Sequence, residues 1–213
     1  AASIAVYNEN RAALRAFSRA AALHPELISP TSRNAVIKAG YFMPKAEHTR
    51  LVNKLCTALD ALPVQKWEGL RIVTTGIIAD CPQLLKILED NNIAIAEDQI
   101  AYESVYFKND TPLTPDPFIG MAERISNIEG CSVLYDPEKK RAKTLAELVK
   151  ASKADGVLYL QTKFCDPEEY DYVPVKTILA EAGIPLLQIE IDRQTANYEQ
   201  ARSAIEAFRE LLT

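Results

Sequence analysis

Glycine and histidine are both scarce in this chain of 213 residues, and each scarcity closes off a class of chemistry. Its seven glycines form no GxGxxG run and no phosphate-binding loop, so a glycine-rich cradle for nucleotide phosphates is excluded. Only two histidines occur, His24 and His48, both in the first third and far from any paired acid. That placement argues against a histidine triad or a histidine-based zinc site, and both read as surface or packing residues. The four cysteines, Cys56, Cys81, Cys131 and Cys165, include no CxxC pair and no close-spaced disulfide framework, so a reducing cytoplasm is the expected setting. No apolar run approaches the roughly 20 residues of a membrane helix, and the opening residues pattern as a polar helix rather than a secretory signal. A net charge of −5 counts against a nucleic-acid surface or an anionic membrane as partner. The short basic run Lys139-Lys140-Arg141 reads as a solvated helix lead-in.

What is present is an ordinary globular composition, 48% hydrophobic and 25% charged, in a chain long enough to bury a proper core. Residues 3–23 place Ile4, Tyr7, Leu14 and Phe17 at helical spacing. Pro25 and Pro30 end that helix, Ser29 or Thr31 caps a second one reaching Ala39, and Gly40 stops it. A third helix follows Pro44 with Leu51, Leu55, Leu59 and Leu62 as its stripe. These helices lack a core of their own, and the chain opens at Ala1 without a methionine, so a piece of a longer polypeptide is expected. The helical segment 1–66 is expected to pack on the remainder of the chain or on a further domain.

Residues 67–213 read as an α/β domain. Leu70–Thr75, Ile93–Ala96, Ser132–Tyr135, Val157–Leu160 and Leu186–Ile191 are short, continuously apolar runs, as strands of a parallel sheet buried on both faces are. Helical stretches lie at 82–90, 117–128, 142–153, 168–182 and 197–212. The alternation predicts a doubly wound, flavodoxin-like, five-stranded parallel sheet in the order 2-1-3-4-5. Cys81-Pro82, Asp116-Pro117 and Asp166-Pro167 each set a capping-type residue before a proline at the first helical position. Ligands of open α/β sheets gather beyond the carboxyl ends of the strands. Cys81 follows the first strand and Cys165 the fourth, so both belong at that edge.

Cys165 is either a buried strand-end thiol or a thiolate aimed into that edge beside a helix N-terminus. Asp166, Glu168, Glu169 and Asp171 would surround it with negative charge, which spoils a free nucleophile; a metal-bound thiolate tolerates it better. Cys81 is a candidate second ligand or a stand-in for a capping serine. Cys131, opening a strand, and Cys56, within a helix, read as core or boundary residues.

The stretch Phe164-Cys165-Asp166-Pro167-Glu168-Glu169-Tyr170-Asp171-Tyr172 resembles the hallmark of the 2-hydroxyacyl-CoA dehydratase family, which includes the ATP-dependent benzoyl-CoA reductases. Leu62-Pro63-Val64, Thr75-Gly76-Ile77-Ile78-Ala79-Asp80, Asn91-Asn92-Ile93 and Val133-Leu134-Tyr135-Asp136-Pro137 extend the likeness. They are most similar to β-type subunits of (R)-2-hydroxyglutaryl-CoA dehydratase, over their C-terminal half. The sequence departs after Tyr172, where Val173-Pro174 stands in place of a proline directly, implying a helix start shifted by a residue. The resemblance implies an oxygen-sensitive lyase in which Cys165 is one of three thiolates on a [4Fe-4S] cluster, the others lying outside this chain. It implies an acyl-CoA substrate dehydrated through a ketyl radical, an α-type partner subunit, an ATP-dependent iron–sulfur activator protein, and a role in amino-acid fermentation. By itself the chain is expected to be inactive. The resemblance leaves Cys81 without a role and names no acid–base residue. Two alternatives stand beside it: a benzoyl-CoA reductase-type subunit, and a cluster-free binding or assembly relative whose cysteines are structural.

Overall fold

A computed structural model describes residues 2–134, 136–192, 194–195 and 197–213. Its elements are α1 (Ala2–Leu23), α2 (Pro30–Ala39), α3 (Lys45–Asp60), β1 (Leu70–Gly76), α4 (Pro82–Asp90), β2 (Ile93–Ile100), α5 (Ser104–Phe107), α6 (Pro117–Ser126), α7 (Lys140–Ser152), β3 (Gly156–Thr162), α8 (Asp166–Glu181), β4 (Leu186–Ile191) and α9 (Glu199–Leu212).

The continuous apolar runs become a parallel sheet, as their burial on both faces requires. It has four strands in the order β2-β1-β3-β4, not five in a flavodoxin-like order. The run Ser132–Tyr135 supplies no strand among its described residues; Tyr135 lies outside them. Ser132 and Val133 sit in a turn after Gly130 (φ +73°), Leu134 N–H donates to the Cys131 carbonyl at 3.2 Å, and Val133 is exposed. No gap is left for it either, since β1 pairs directly with β3 (Thr74 beside Leu158). Cys131 is therefore buried in a loop rather than opening a strand.

One face of the sheet packs Ile72, Leu158 and Leu160 against Leu84 and Leu88 of α4 and Ile205 and Phe208 of α9. The other packs Val73, Val157 and Tyr159 against Leu145 of α7 and Val175 and Leu179 of α8. Each fully buried leucine or isoleucine in these layers contributes on the order of 1.5–3 kcal/mol. β2 runs past its predicted end at Ala96 as far as Ile100, with a bulge on the way: Ile72 pairs with Ile95 but Val73 with Glu97, which leaves Ala96 unpaired.

The first three helices do have an apolar cluster, built from Leu14, Phe17, Ile37, Val52 and Cys56 and joined by Phe107 of α5. On α1, Leu14 and Phe17 are buried as predicted, whereas Tyr7 is exposed. On α3 the buried face is His48, Val52, Cys56 and Leu59; of the predicted leucine stripe Leu59 is buried and Leu55 packs partly on the cluster, whereas Leu51 and Leu62 face water. His48 is buried there with both ring nitrogens satisfied: Nε2 donates to the Val36 carbonyl at 2.9 Å and Nδ1 accepts from Asn10 at 2.9 Å. On α2, Ser29 caps through its side chain to Ser32 N–H and Gly40 closes the helix, as expected. The buried Arg33 of α2 ties this layer to the sheet through Asp98 of β2 and Glu103.

Candidate functional site

β3 ends at Thr162, the chain turns through Lys163 and Phe164, and α8 starts at Asp166, with Cys165 at the N-cap (φ −97°, ψ 87°). The capping position thus belongs to Cys165 and not, as predicted, to Asp166. Its carbonyl accepts Glu168 N–H at 3.0 Å and Glu169 N–H at 3.1 Å, while its own N–H reaches back to the Thr162 carbonyl at 3.2 Å. The thiol makes no capping bond and is half-buried beside the positive end of a 16-residue helix. Phe164 holds a left-handed conformation (φ +61°) that bulky residues seldom adopt, with its ring 91% exposed. Pro174 lies inside α8, two turns beyond its start.

The acids after Cys165 do not all crowd the thiol. Glu168 is fully buried; one carboxylate oxygen accepts from Arg141 Nη2 at 3.1 Å and the other from Thr162 N–H at 3.0 Å. Asp171 accepts from Lys139 Nζ at 2.7 Å and lies 3.6 Å from Arg141 Nη1. Tyr159 completes the group, its hydroxyl donating to the Glu168 carbonyl at 2.9 Å and accepting from Arg141 Nη1 at 3.1 Å. Burial pushes the Tyr159 phenol well above its ordinary range, so it stays a donor. Arg141 also donates to Thr75 Oγ1 of β1 at 2.9 Å. Two of the four acids are therefore neutralised inside the fold, and only Asp166 and Glu169 face water.

Arg141 was the residue that charge patterning misplaced. It is buried, while its neighbours Lys139 and Lys140 are solvated as expected. The signal was available: Arg141, Leu145 and Val149 are spaced four apart, on the face of α7 that meets the sheet.

Cys81 does occupy the N-cap position of α4, without a side-chain capping bond. It is half-buried against the sheet core, and burial raises its thiol above the ordinary range; Asp80 adds to that and the Tyr198 hydroxyl opposes it. Cys56 is buried, as expected of a packing residue. Among the described residues no group of three or more His, Cys, Asp or Glu side chains could hold a metal ion. No helix there is long and apolar enough to cross a membrane.

A parallel α/β layer with a thiol at a strand-to-helix turn is shared by many proteins, and the whole-chain comparison narrows it. Residues 1–212 match the model of the family described as 2-hydroxyglutaryl-CoA dehydratase, D-component, so the chain belongs to that family. It is 50% identical over 210 residues to the (R)-phenyllactyl-CoA dehydratase beta subunit of Clostridium sporogenes, covering 99% of this chain and 56% of that one. It is 40% identical over 214 residues to the beta subunit of (R)-2-hydroxyglutaryl-CoA dehydratase from Acidaminococcus fermentans, with the same coverage of 99% and 56%. A benzoyl-CoA reductase subunit from Thauera aromatica is more distant, at 23% over 211 residues, covering 97% of this chain and 55% of that one. The chain therefore spans just over half the length of the curated relatives it matches.

Proposed function

We propose that this chain is the part of a 2-hydroxyacyl-CoA dehydratase beta-type subunit that contributes Cys165 as one thiolate ligand of a [4Fe-4S] cluster. The observation that carries the reading is the half-exposed thiol at the N-cap of α8, beyond the carboxyl end of a central strand. Soft thiolate is the donor such clusters take, and one thiolate is too few to hold one, so the remaining donors come from outside this chain. The donor chemistry of the turn fits. The helix end favours negative charge there, and Arg141 and Lys139 offset Glu168 and Asp171. The role of those residues is to fix the ligand turn: Glu168, three residues after Cys165, accepts from the N–H of Thr162, three residues before it, and is held from α7 by Arg141.

When bound, the cluster supplies a single low-potential electron. A 2-hydroxyacyl thioester reduced at its carbonyl by one electron would become a ketyl that expels the neighbouring hydroxide; the resulting radical acidifies a β-proton that is otherwise inert, and loss of that proton leaves a second ketyl that gives the electron back as the unsaturated thioester forms. That order of events explains why a dehydratase of this type needs an electron although no net redox change occurs. An α-type subunit and an ATP-hydrolysing iron–sulfur activator are the partners this chemistry calls for. Identity of 40–50% with dehydratase subunits, against 23% with the reductase subunit, favours dehydration over ring reduction.

The test is anaerobic production of the full-length subunit with Cys165→Ala. Loss of cluster absorbance and of iron is expected; unchanged iron content and spectrum would overturn the assignment.

A further inference from the structure

Three shallow cavities run into one another along one side of the molecule. The first, about 340 Å³, lies between the end of α2 (Ile37, Tyr41, Phe42) and the loops after β1 and β2 (Ile78, Tyr102). The second, about 350 Å³, shares Tyr41 and Tyr102 with it and continues over Tyr106, Ile128 and Val133. The third, about 290 Å³, shares Arg124 with the second and is walled by Ile4 and Tyr7 of α1 and by Met121 and Ile125 of α6. The band they form is apolar and open to water. Phe42 within it is 79% exposed, and Phe118, one helical turn before Met121 on α6, is 75% exposed. α6 explains much of this: of its ten residues only Gly120 is buried, and Phe118, Ile119, Met121 and Ile125 are each at least 40% exposed. Contiguous apolar surface on this scale marks a face that something covers.

We propose that the occupant is the part of a full-length family subunit that lies outside residues 1–213, docked along the band from α6 to Phe42. Two observations select it. First, the chain accounts for only 56% of the length of relatives that match it end to end, so a subunit of that size carries a large further body with a surface of its own to bury. Second, the band reaches the loops that follow β1 and β2, the strand-carboxyl edge at which Cys165 follows β3. A body that brings further thiolates to Cys165 has to sit at that edge. This second support rests on the cluster reading above; the first does not.

The experiment places a photoreactive residue one turn of α6 before the band residue Met121, in the full-length polypeptide made together with its α-type subunit. Phe118→p-benzoylphenylalanine is suitable because the ring it replaces makes little contact with the rest of this chain. After irradiation the junction is read by mass spectrometry. The expected main product joins position 118 to a residue of the same polypeptide outside 1–213, and the same substitution at Leu211, equally exposed on α9, gives none. The junction is expected unchanged when Cys165→Ala is added, so failure of the cluster assignment and failure of the docking proposal are told apart. A main cross-link to the α-type subunit, to a second copy of the chain or only within residues 1–213 overturns the proposal. Absence of any cross-link, or equal labelling from Leu211, does the same.

Discussion

The Glu168 carboxylate, fully buried, meets the Arg141 guanidinium at 3.1 Å, so the two charges that flank the Cys165 turn are held by one another rather than by water. A buried pair of this kind adds little over an apolar replacement of both partners, but removing one partner strands the other. Glu168→Ala is therefore expected to destabilise the fold by about 3–5 kcal/mol. Glu168→Gln keeps the shape and a bond to Thr162 N–H and should cost less, about 1.5–3 kcal/mol for the lost charged hydrogen bond. Equilibrium urea unfolding measures both. A loss under about 1 kcal/mol for the alanine variant would mean that Arg141 is rescued by Asp171 alone.

Cys81 gives a pH dependence with a definite sign. Burial raises its folded-state pKa, so the native protein keeps a proton that the unfolded chain releases at the ordinary thiol pKa. Its stabilising contribution is complete below that ordinary value and is lost as pH rises through the raised one. Tyr198, packed against it and likewise raised by burial, acts in the same direction. The urea midpoint is expected to fall more steeply between about pH 8 and 10 in the wild type than in Cys81→Ala. Parallel curves for the two proteins would count against the shift.

How far the residues alone reveal this fold depends on where burial and polarity agree. β1, β3 and β4 are continuous apolar runs, and they became strands with nearly the predicted bounds. β2 did not, because Glu97, Asp98 and Gln99 continue it in polar letters; Asp98 is tolerated inside because Arg33 reaches one carboxylate oxygen from another layer and the other accepts the Ile100 and Ser104 N–H groups. Val133 and Leu134 look like strand residues, and only the pairing of β1 with β3 shows that the sheet has no place for them. Counting leucines placed Leu59 correctly on the buried α3 face but put Leu51 and Leu62 there too, because His48 can be buried once both its nitrogens are bonded, a fact that depends on Asn10 and Val36. The Cys165 turn was legible, but its helix starts earlier than predicted, with Cys165 rather than Asp166 at the cap. The buried arginine behind it was hidden by the two lysines that precede it in sequence.

Gly76 closes β1 with a φ of +150°, and a Cβ there would lie 2.4 Å from the backbone oxygen of Leu160 in β3. Neither strain can be relieved by a side chain moving aside, since the obstacle is main chain of the adjoining strand. Gly76→Ala is expected to cost at least about 1–3 kcal/mol, the range for forcing extra volume into a packed site. It should also speed amide exchange at Tyr102, whose N–H donates to the Ile77 carbonyl just beyond the glycine. Wild-type exchange at Tyr102 together with an unchanged urea midpoint would show that the strand end yields without cost.

The last prediction concerns what residues 1–213 can do with iron by themselves. With one half-exposed cysteine at the strand-carboxyl edge, a second half-buried against the core and two more buried, no set of three thiolates converges among the described residues. A [4Fe-4S] cluster needs several such ligands, and thiolates must also deprotonate to bind, which burial of Cys81 opposes. Anaerobic reconstitution of the isolated chain with iron and sulfide should therefore leave less than about 0.1 cluster per chain, against near one for the full-length subunit under the same treatment. Stoichiometric cluster in the isolated chain, retained after gel filtration, would mean that Cys165 finds its partners within these 213 residues, and would remove the need for a ligand from outside.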